Sequence, residues 1–418
     1  MLYAILNAFL YIGLFYWYRR RYKVVDEIVL LLAIWATVGS VGLLLVCLEP
    51  TKYQLMLWPY IYLFVTFLVF VHFLLQRQKH LFPVEKFIKY RSIILDIINY
   101  IYILCSIYEL LNIDLSVLSI TFLSEEAKDL YQAAHESKII VKDALFYCQR
   151  FTSAMFVLTA ISVFNYLAQK RTLMGWSLFS FTLISIIAGN AEIASRGTMM
   201  SQILVFVVAY LIYKPYLNVE ISKTIRMVFL MAGIFLAAFF VAITTSRFKD
   251  SYNTGYKSPL ESVVSYFGQS MLYFNYGICD VDFNTWGGSR TFNYLASSFL
   301  GIDYRRLPEP GTHYGSGFTT FIGMLVQDFG YVGTVILGFM VSYIMYKLWS
   351  IKNKTTFAGM YIYLFYINRM VMGVFVTPPG SDYYYLWALL TYLFLLYILK
   401  PSKPSKVVEN AKLLVRKK

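Results

Sequence analysis

The chain is 418 residues long, with 59% hydrophobic and only 14% charged residues, a formal net charge of +14 and a mean hydropathy of +0.58. So little charge over so long a chain excludes an ordinary soluble multidomain protein and the disordered classes. The basic excess sits in short loops between apolar runs and in the tail, a pattern of membrane orientation and not of nucleic-acid binding.

In chain order, apolar runs recur at 2–18, 28–48, 55–75, 92–111, 152–168, 173–194, 198–213, 227–245, 331–349, 358–376 and 384–399. Most are long enough to cross a hydrocarbon core of about 30 Å, where only a helix or a closed barrel satisfies its own backbone. The expected fold is therefore all-α: a single polytopic membrane domain over 1–418 with eleven or twelve spans. The N-terminus is apolar from the start and is read as the first span, not as a cleaved leader.

Scoring alternate loops gives roughly 24 Lys and Arg on the side of Arg19, Arg77, Lys170, Lys214, Lys347 and the 400–418 tail, against roughly 12 on the other. The tail is therefore expected in the cytoplasm, with a first outer loop at 112–150 and a larger one at 246–330. Eleven spans place the N-terminus outside. Ser124-Glu125-Glu126 reads as a helix start in the first loop, followed by apolar groups suited to the membrane surface. The four cysteines, Cys47, Cys105, Cys148 and Cys279, show no spacing that indicates a metal site or a disulfide framework.

The large outer loop concentrates the polar chemistry. Arg290 follows Gly287-Gly288-Ser289, Arg305 and Arg306 follow Asp303, and His313-Tyr314 lies among glycines. Six Lys/Arg face seven Asp/Glu in this loop, so placed arginines, not a basic funnel, are the better reading. A guanidinium matches phosphate oxygens and keeps its charge on burial, which suggests an anionic, diphosphate-like headgroup; surface ion pairs with Asp303 are the bland alternative. An imidazole at His313 can accept a proton or support an oxyanion. Asp328 reads equally as a cap of the span that follows or as a catalytic group. The apolar segment 318–327 is too short to span and is expected to dip into the membrane and return. Outside this loop, Arg196 stands in the turn after Asn190 and Glu192, as a ligand contact or a snorkelling end charge. Arg369 lies inside the tenth run, where Glu192 or a loop acid is the expected partner. Trp286 and the loop tyrosines are candidates for stacking on sugar rings.

Two segments carry a resemblance: Ala194-Ser195-Arg196-Gly197 between two spans, and the late loop with Gly317-Phe318-Thr319-Thr320 running into Asp328-Phe329-Gly330 and Gly333. Arg290 with Gly301, and Arg306 with Gly317, also have the spacing seen in some members. In layout the chain resembles the Wzy-type O-antigen and capsule repeat-unit polymerases of bacteria. That resemblance implies an inverting, metal-independent glycosyltransferase of the cytoplasmic membrane, without a cofactor. It would act at the outer leaflet on undecaprenyl-diphosphate-linked oligosaccharides, with a chain-length-determinant co-polymerase as a further partner. It also implies diphosphate or glycan binding by Arg196, Arg290, Arg305 and Arg306, and a base at His313, with Asp280, Asp282 and Asp328 as alternatives. Glu192, Arg369 and Tyr314 complete the expected substrate contacts. An O-antigen ligase and a lipid-linked oligosaccharide flippase are the rival readings; the absence of an internal repeat weighs against transport.

Overall fold

Three helix starts are fixed by the side chain of the preceding residue. The Asp26 carboxylate accepts the N–H groups of Ile28 and Val29, Ser92 Oγ accepts that of Leu95, and Asp143 Oδ1 that of Phe146 at 2.8 Å. Each satisfies a donor that a helix N-terminus leaves open. In the computed structural model, residues 1–49, 53–75, 92–112, 143–192, 196–249, 259–279, 285–303, 319–350, 357–375 and 381–398 are described, and among them there are no strands.

The helices are α1 (Leu2–Tyr22), α2 (Glu27–Leu48), α3 (Leu57–Leu75), α4 (Ile93–Leu111), α5 (Ala144–Ala168), α6 (Thr172–Glu192), α7 (Arg196–Tyr213), α8 (Val219–Lys249), α9 (Pro259–Tyr273), α10 (Asn293–Leu300), α11 (Phe321–Ser350), α12 (Phe357–Met372) and α13 (Ser381–Ile398). A helix stands at every expected apolar run, and among the described residues six are long and apolar enough to cross a membrane. The Asp143 cap starts α5 earlier than hydropathy suggests, because hydropathy does not register a cap.

α12 lies at the centre and is buried along nearly its whole length. Hydrogen bonds tie it to its neighbours: Trp35 Nε1 of α2 donates to Met370 O at 2.9 Å, Tyr366 donates to Phe70 O of α3 at 2.7 Å, and Tyr363 donates to Glu27 Oε1 at 2.8 Å. The periphery is apolar instead of charged. Val332 is 73% exposed, Met231 66% and Phe339 61%, an uncovered apolar belt that water would not tolerate but lipid would. At the α4–α5–α6 junction, Arg171 pairs with Asp96 at 2.8 Å, its guanidinium lies over the Tyr166 ring, and Tyr166 donates to Asp96. The Asp96 carboxylate raises the Arg171 pKa above its ordinary value.

Two features reshape the expected outer loop. Residues 259–278 are not solvated chain: α9 packs against α2, with a turn of wider helix, Phe274–Ile278, behind it. A Cβ added at Gly268 would stand 2.8 Å from Val41 O, and one at Gly42 would stand 3.1 Å from Gly268 O, so the two backbones touch. Asn275 then clasps both backbone groups of Met56, at 2.8 and 2.7 Å.

The second feature is in α11, where Gly330 has φ 71 and ψ 178. The Phe321 ring lies 5.0 Å from that of Phe70, and a Cβ at Gly338 would stand 2.9 Å from the same Phe70 ring. In a straight helix residues 321 and 338 would be about 25 Å apart. Hence α11 folds back at Gly330 into a short arm, 321–329, and a long arm, 331–350. The foot of the short arm is held by Gly373, whose carbonyl accepts Phe321 N–H at 2.6 Å.

Candidate functional site

The turn at 285–292 is built around the outer end of the short arm. The last carbonyls of a helix lack intrahelical donors. Here Trp286 N–H donates to Gln327 O and Gly288 N–H to Asp328 O, both at 3.1 Å. The turn closes on itself, with Ser289 Oγ donating to Trp286 O at 2.7 Å and Phe292 N–H to Gly288 O at 2.9 Å. Gly288, at φ 85, has no room for a side chain, since a Cβ would stand 2.8 Å from Phe329 Cε1.

Asp328 returns the contact. Its fully buried carboxylate accepts the N–H of Arg290 at 3.2 Å, the N–H of Thr291 at 2.5 Å and the Thr291 hydroxyl. It does not cap the long arm, as one sequence reading expected. With both oxygens engaged and no exposed surface, it acts as a latch on the turn.

The latch sets the direction of Arg290. Nη1 donates to Gln327 Oε1 at 2.7 Å, and the guanidinium carbon sits 5.0 Å above the Trp286 ring. Gln327 and Trp286 are both buried. Among the described residues no carboxylate pairs directly with this guanidinium, and Nε is buried with no acceptor. A half-buried cation is thus oriented by a neutral amide and an aromatic face, with the Asp328 carboxylate near enough to interact with its charge but not bonded to the guanidinium. It also stands at the C-terminal end of the short arm, where the helix dipole favours positive charge.

Arg369 belongs to the opposite end of the same arm. Its carbonyl accepts Gly373 N–H at 2.8 Å, and Gly373 holds the foot of the arm at Phe321. Its guanidinium lies 5.2 Å from the Phe365 ring centroid and 5.8 Å from that of Tyr385. The segments bearing Arg290 and Arg369 are therefore clamped to the two ends of an arm about 13 Å long. Beside Arg369, Asn368 Nδ2 donates to Ser201 Oγ of α7 at 2.9 Å, and its Oδ1 is buried without a donor.

Of the other expected site residues, Glu192 closes α6 and Arg196 opens α7; the connection between them and both side chains lie outside the described residues. Arg305, Arg306, His313, Tyr314, Asp280 and Asp282 also lie outside them. Sequence reasoning missed Gln327 and Thr291. It named Trp286 as a sugar platform, whereas this ring is buried beneath Arg290; an aromatic four residues before an arginine in a glycine turn was the available signal. No protein-family model, curated protein or solved structure matches the chain.

Proposed function

We propose that the protein is a polytopic glycosyltransferase that polymerises lipid-diphosphate-linked oligosaccharide repeat units at the outer face of the bacterial cytoplasmic membrane. The observation that carries this reading is Arg290: a guanidinium oriented by Asp328, Gln327 and Trp286, with no direct carboxylate partner among the described residues. Such a group suits an anion that gains charge during reaction, and a sugar diphosphate is one. In this reading all eleven apolar helices cross the membrane and the basic tail is cytoplasmic. The 285–303 segment then faces the side where a translocated lipid-linked sugar is presented.

The step is a displacement at the anomeric carbon. A hydroxyl of the incoming repeat unit attacks, its proton passes to a base, the bond from the anomeric carbon to the diphosphate oxygen breaks, and the lipid diphosphate leaves. Arg290, with Arg196, Arg305 and Arg306, stabilises the departing diphosphate. His313 takes the proton. Asp328 is assigned as a positioning residue, because its carboxylate is engaged by the Arg290 and Thr291 donors. Charge neutralisation by arginines leaves no step to a metal ion, so a chelator is expected to leave the rate unchanged.

Purified protein in lipid, given lipid-linked repeat units alone, is expected to yield a ladder of products. No ladder, with transfer appearing only when a lipid A-type acceptor is added, would convert the reading to a ligase. Movement of intact units across the bilayer without covalent change would convert it to a flippase.

A further inference from the structure

The buried face of α4 is polar and its exposed face is apolar. Asn99, Tyr102, Ser106 and Glu109 recur at helical spacing and are all buried, whereas Ile97, Ile101, Leu104 and Tyr108 are exposed. Both α4 and α5 are long and apolar enough to cross a membrane. Polar and ionisable groups at that depth are costly, and they mark ion pathways and proton relays. Two sets of bonds pin the seam between these antiparallel helices. At one end Arg171 pairs with Asp96, Tyr166 donates to Asp96 Oδ1 at 2.8 Å, and Asn99 Nδ2 donates to Tyr166 at 2.9 Å. At the other, Thr152 of α5 and Ser185 of α6 meet the Glu109 carboxyl at 2.7 and 2.8 Å. Asp96 and Glu109 are thus about 20 Å apart along α4. Between the pins, Ser106 stands one turn before Glu109, and Thr159 two turns from both Thr152 and Tyr166, on the same faces. Ser106 Oγ, Thr159 Oγ1 and Asn99 Oδ1 are buried with no partner among the described residues. Buried oxygens of this kind are normally met by ordered water.

The contacts of Glu109 suit a protonated carboxyl. Thr152 Oγ1 has one hydrogen, yet it also lies 3.1 Å from Gln149 O. Both contacts are full hydrogen bonds only if Glu109 donates to Thr152 and Thr152 donates to Gln149 O. Among the described residues no Lys or Arg pairs with Glu109; Arg150 of α5 is exposed and lies over the Phe146 ring. The other described titratable residues within two turns are Tyr102, Cys105 and Tyr108 on α4 and Tyr147 and Cys148 on α5, none of them a cation, and α6 has none over 172–186.

We propose that the α4–α5–α6 seam is a proton path across the membrane, with Glu109 as the proton-binding group near one face and Asp96 as the terminal group near the other. A proton arriving at Glu109 neutralises its carboxylate. The carboxyl O–H then passes a proton to water seated at Ser106 and Thr159. Tyr166 takes a proton from that chain and gives its own to Asp96, to which it is already bonded. Asp96 and Arg171 both reach solvent, with 14% and 23% of their side chains exposed, so the proton leaves there. One proton and one positive charge cross, and every hydroxyl ends with the hydrogen count it began with. The proton gradient and the membrane potential drive the step, and no other reactant takes part. None of these residues belongs to the proposed transfer site, so this inference is independent of the enzymatic reading.

The test uses the full-length protein in vesicles that enclose a pH-sensitive dye, with a potassium diffusion potential set by valinomycin. Acidification faster than in protein-free vesicles is expected, at the same rate in sodium and in choline medium. Glu109→Gln keeps the shape but cannot carry the proton, and should lower the rate at least tenfold. Ser106→Ala and Thr159→Val remove hydroxyls that have no described protein partner, so a purely structural role predicts unchanged flux and unchanged thermal unfolding. A relay role predicts a several-fold loss of flux at unchanged thermal unfolding. Flux no greater than in protein-free vesicles, equal flux from Glu109→Gln, or a requirement for sodium would each overturn the proposal. Should Glu109→Gln fail to fold, Ser106→Ala decides alone, and unchanged flux from it would overturn the path.

Discussion

Arg290 and Gln327 meet through a single Nη1–Oε1 hydrogen bond of 2.7 Å, although 37 residues separate them. The bond fixes one edge of the guanidinium, and among the described residues no carboxylate pairs with it directly; the Asp328 carboxylate acts on its charge from behind the turn. That combination of fixed direction and retained charge distinguishes Arg290 from an arginine in a structural ion pair.

Arg290→Ala is accordingly expected to lower the rate of product-ladder formation by about 100- to 1,000-fold, the range for loss of one preorganised charged donor. Arg290→Lys keeps the charge but not the planar fork, and should recover only part of that loss. Initial rates with defined lipid-linked units, beside thermal stability in detergent, check this. A normal rate for Arg290→Ala would remove this residue from the site.

Asp328→Ala removes the acceptor for three donors and leaves two backbone N–H groups in a buried turn. The expected destabilisation is about 2–4 kcal/mol, measured as a shift in thermal unfolding and as faster proteolysis within 285–303. Thr291→Val removes only the hydroxyl donor and should cost about 1 kcal/mol.

A graded series tests the glycine turns. Gly287, at φ 60, has nothing within 4 Å of an added Cβ, so Gly287→Ala should cost only the left-handed backbone penalty of about 1–2 kcal/mol. At Gly330 the nearest atom, Thr285 Cγ2, is 3.6 Å away, but φ 71 with ψ 178 is a conformation nearly restricted to glycine. Gly330→Ala should therefore cost about 2–3 kcal/mol by conformation alone. Gly288→Ala adds a clash with Phe329 and should be the most damaging of the three. A reversed order in denaturation midpoints would contradict the hairpin geometry.

Orientation is testable residue by residue. In a chain whose cysteines are all replaced by serine, a cysteine at Gly287 should react with a membrane-impermeant maleimide added to intact spheroplasts. One at Lys170 should react only after permeabilisation. Equal labelling at both positions would require an even number of crossings between them.

The Arg171–Asp96 pair gives a prediction with a defined pH sign. Asp96 raises the Arg171 pKa, so the stability Arg171 contributes is fully present below its unfolded-state pKa and is lost only as pH rises through the raised value. The penalty for Arg171→Ala, about 1–3 kcal/mol for a partly buried charged hydrogen bond, should stay constant across the neutral and mildly alkaline range. No penalty for Arg171→Ala at neutral pH would mean the pair is not formed.

Helix positions were legible because lipid-facing and core-facing helices are both apolar, and the loops that break them are basic or glycine-rich. The shortness of the 318–327 segment was legible, and the structure gives it a short arm, 321–329, that ends at Gly330. α9 was not, because Ser262, Ser265, Gly268, Gln269 and Ser270 lower its hydropathy to that of a loop. Gly268 among them permits the close approach to α2, a property that composition does not record. The Asp328 latch was also illegible. Its partners lie 37 and 38 positions away, and an acid before a helix reads locally as a cap.

The Gly42–Gly268 crossing has a mechanical consequence. With Cβ space of 3.1 Å or less on both sides, neither helix can roll or slide against the other without backbone collision. α9 is thus a fixed jamb carried by α2 and anchored again at Met56 through Asn275. The 285–303 turn has no such backbone crossing; what holds it to the short arm is the carboxylate of Asp328.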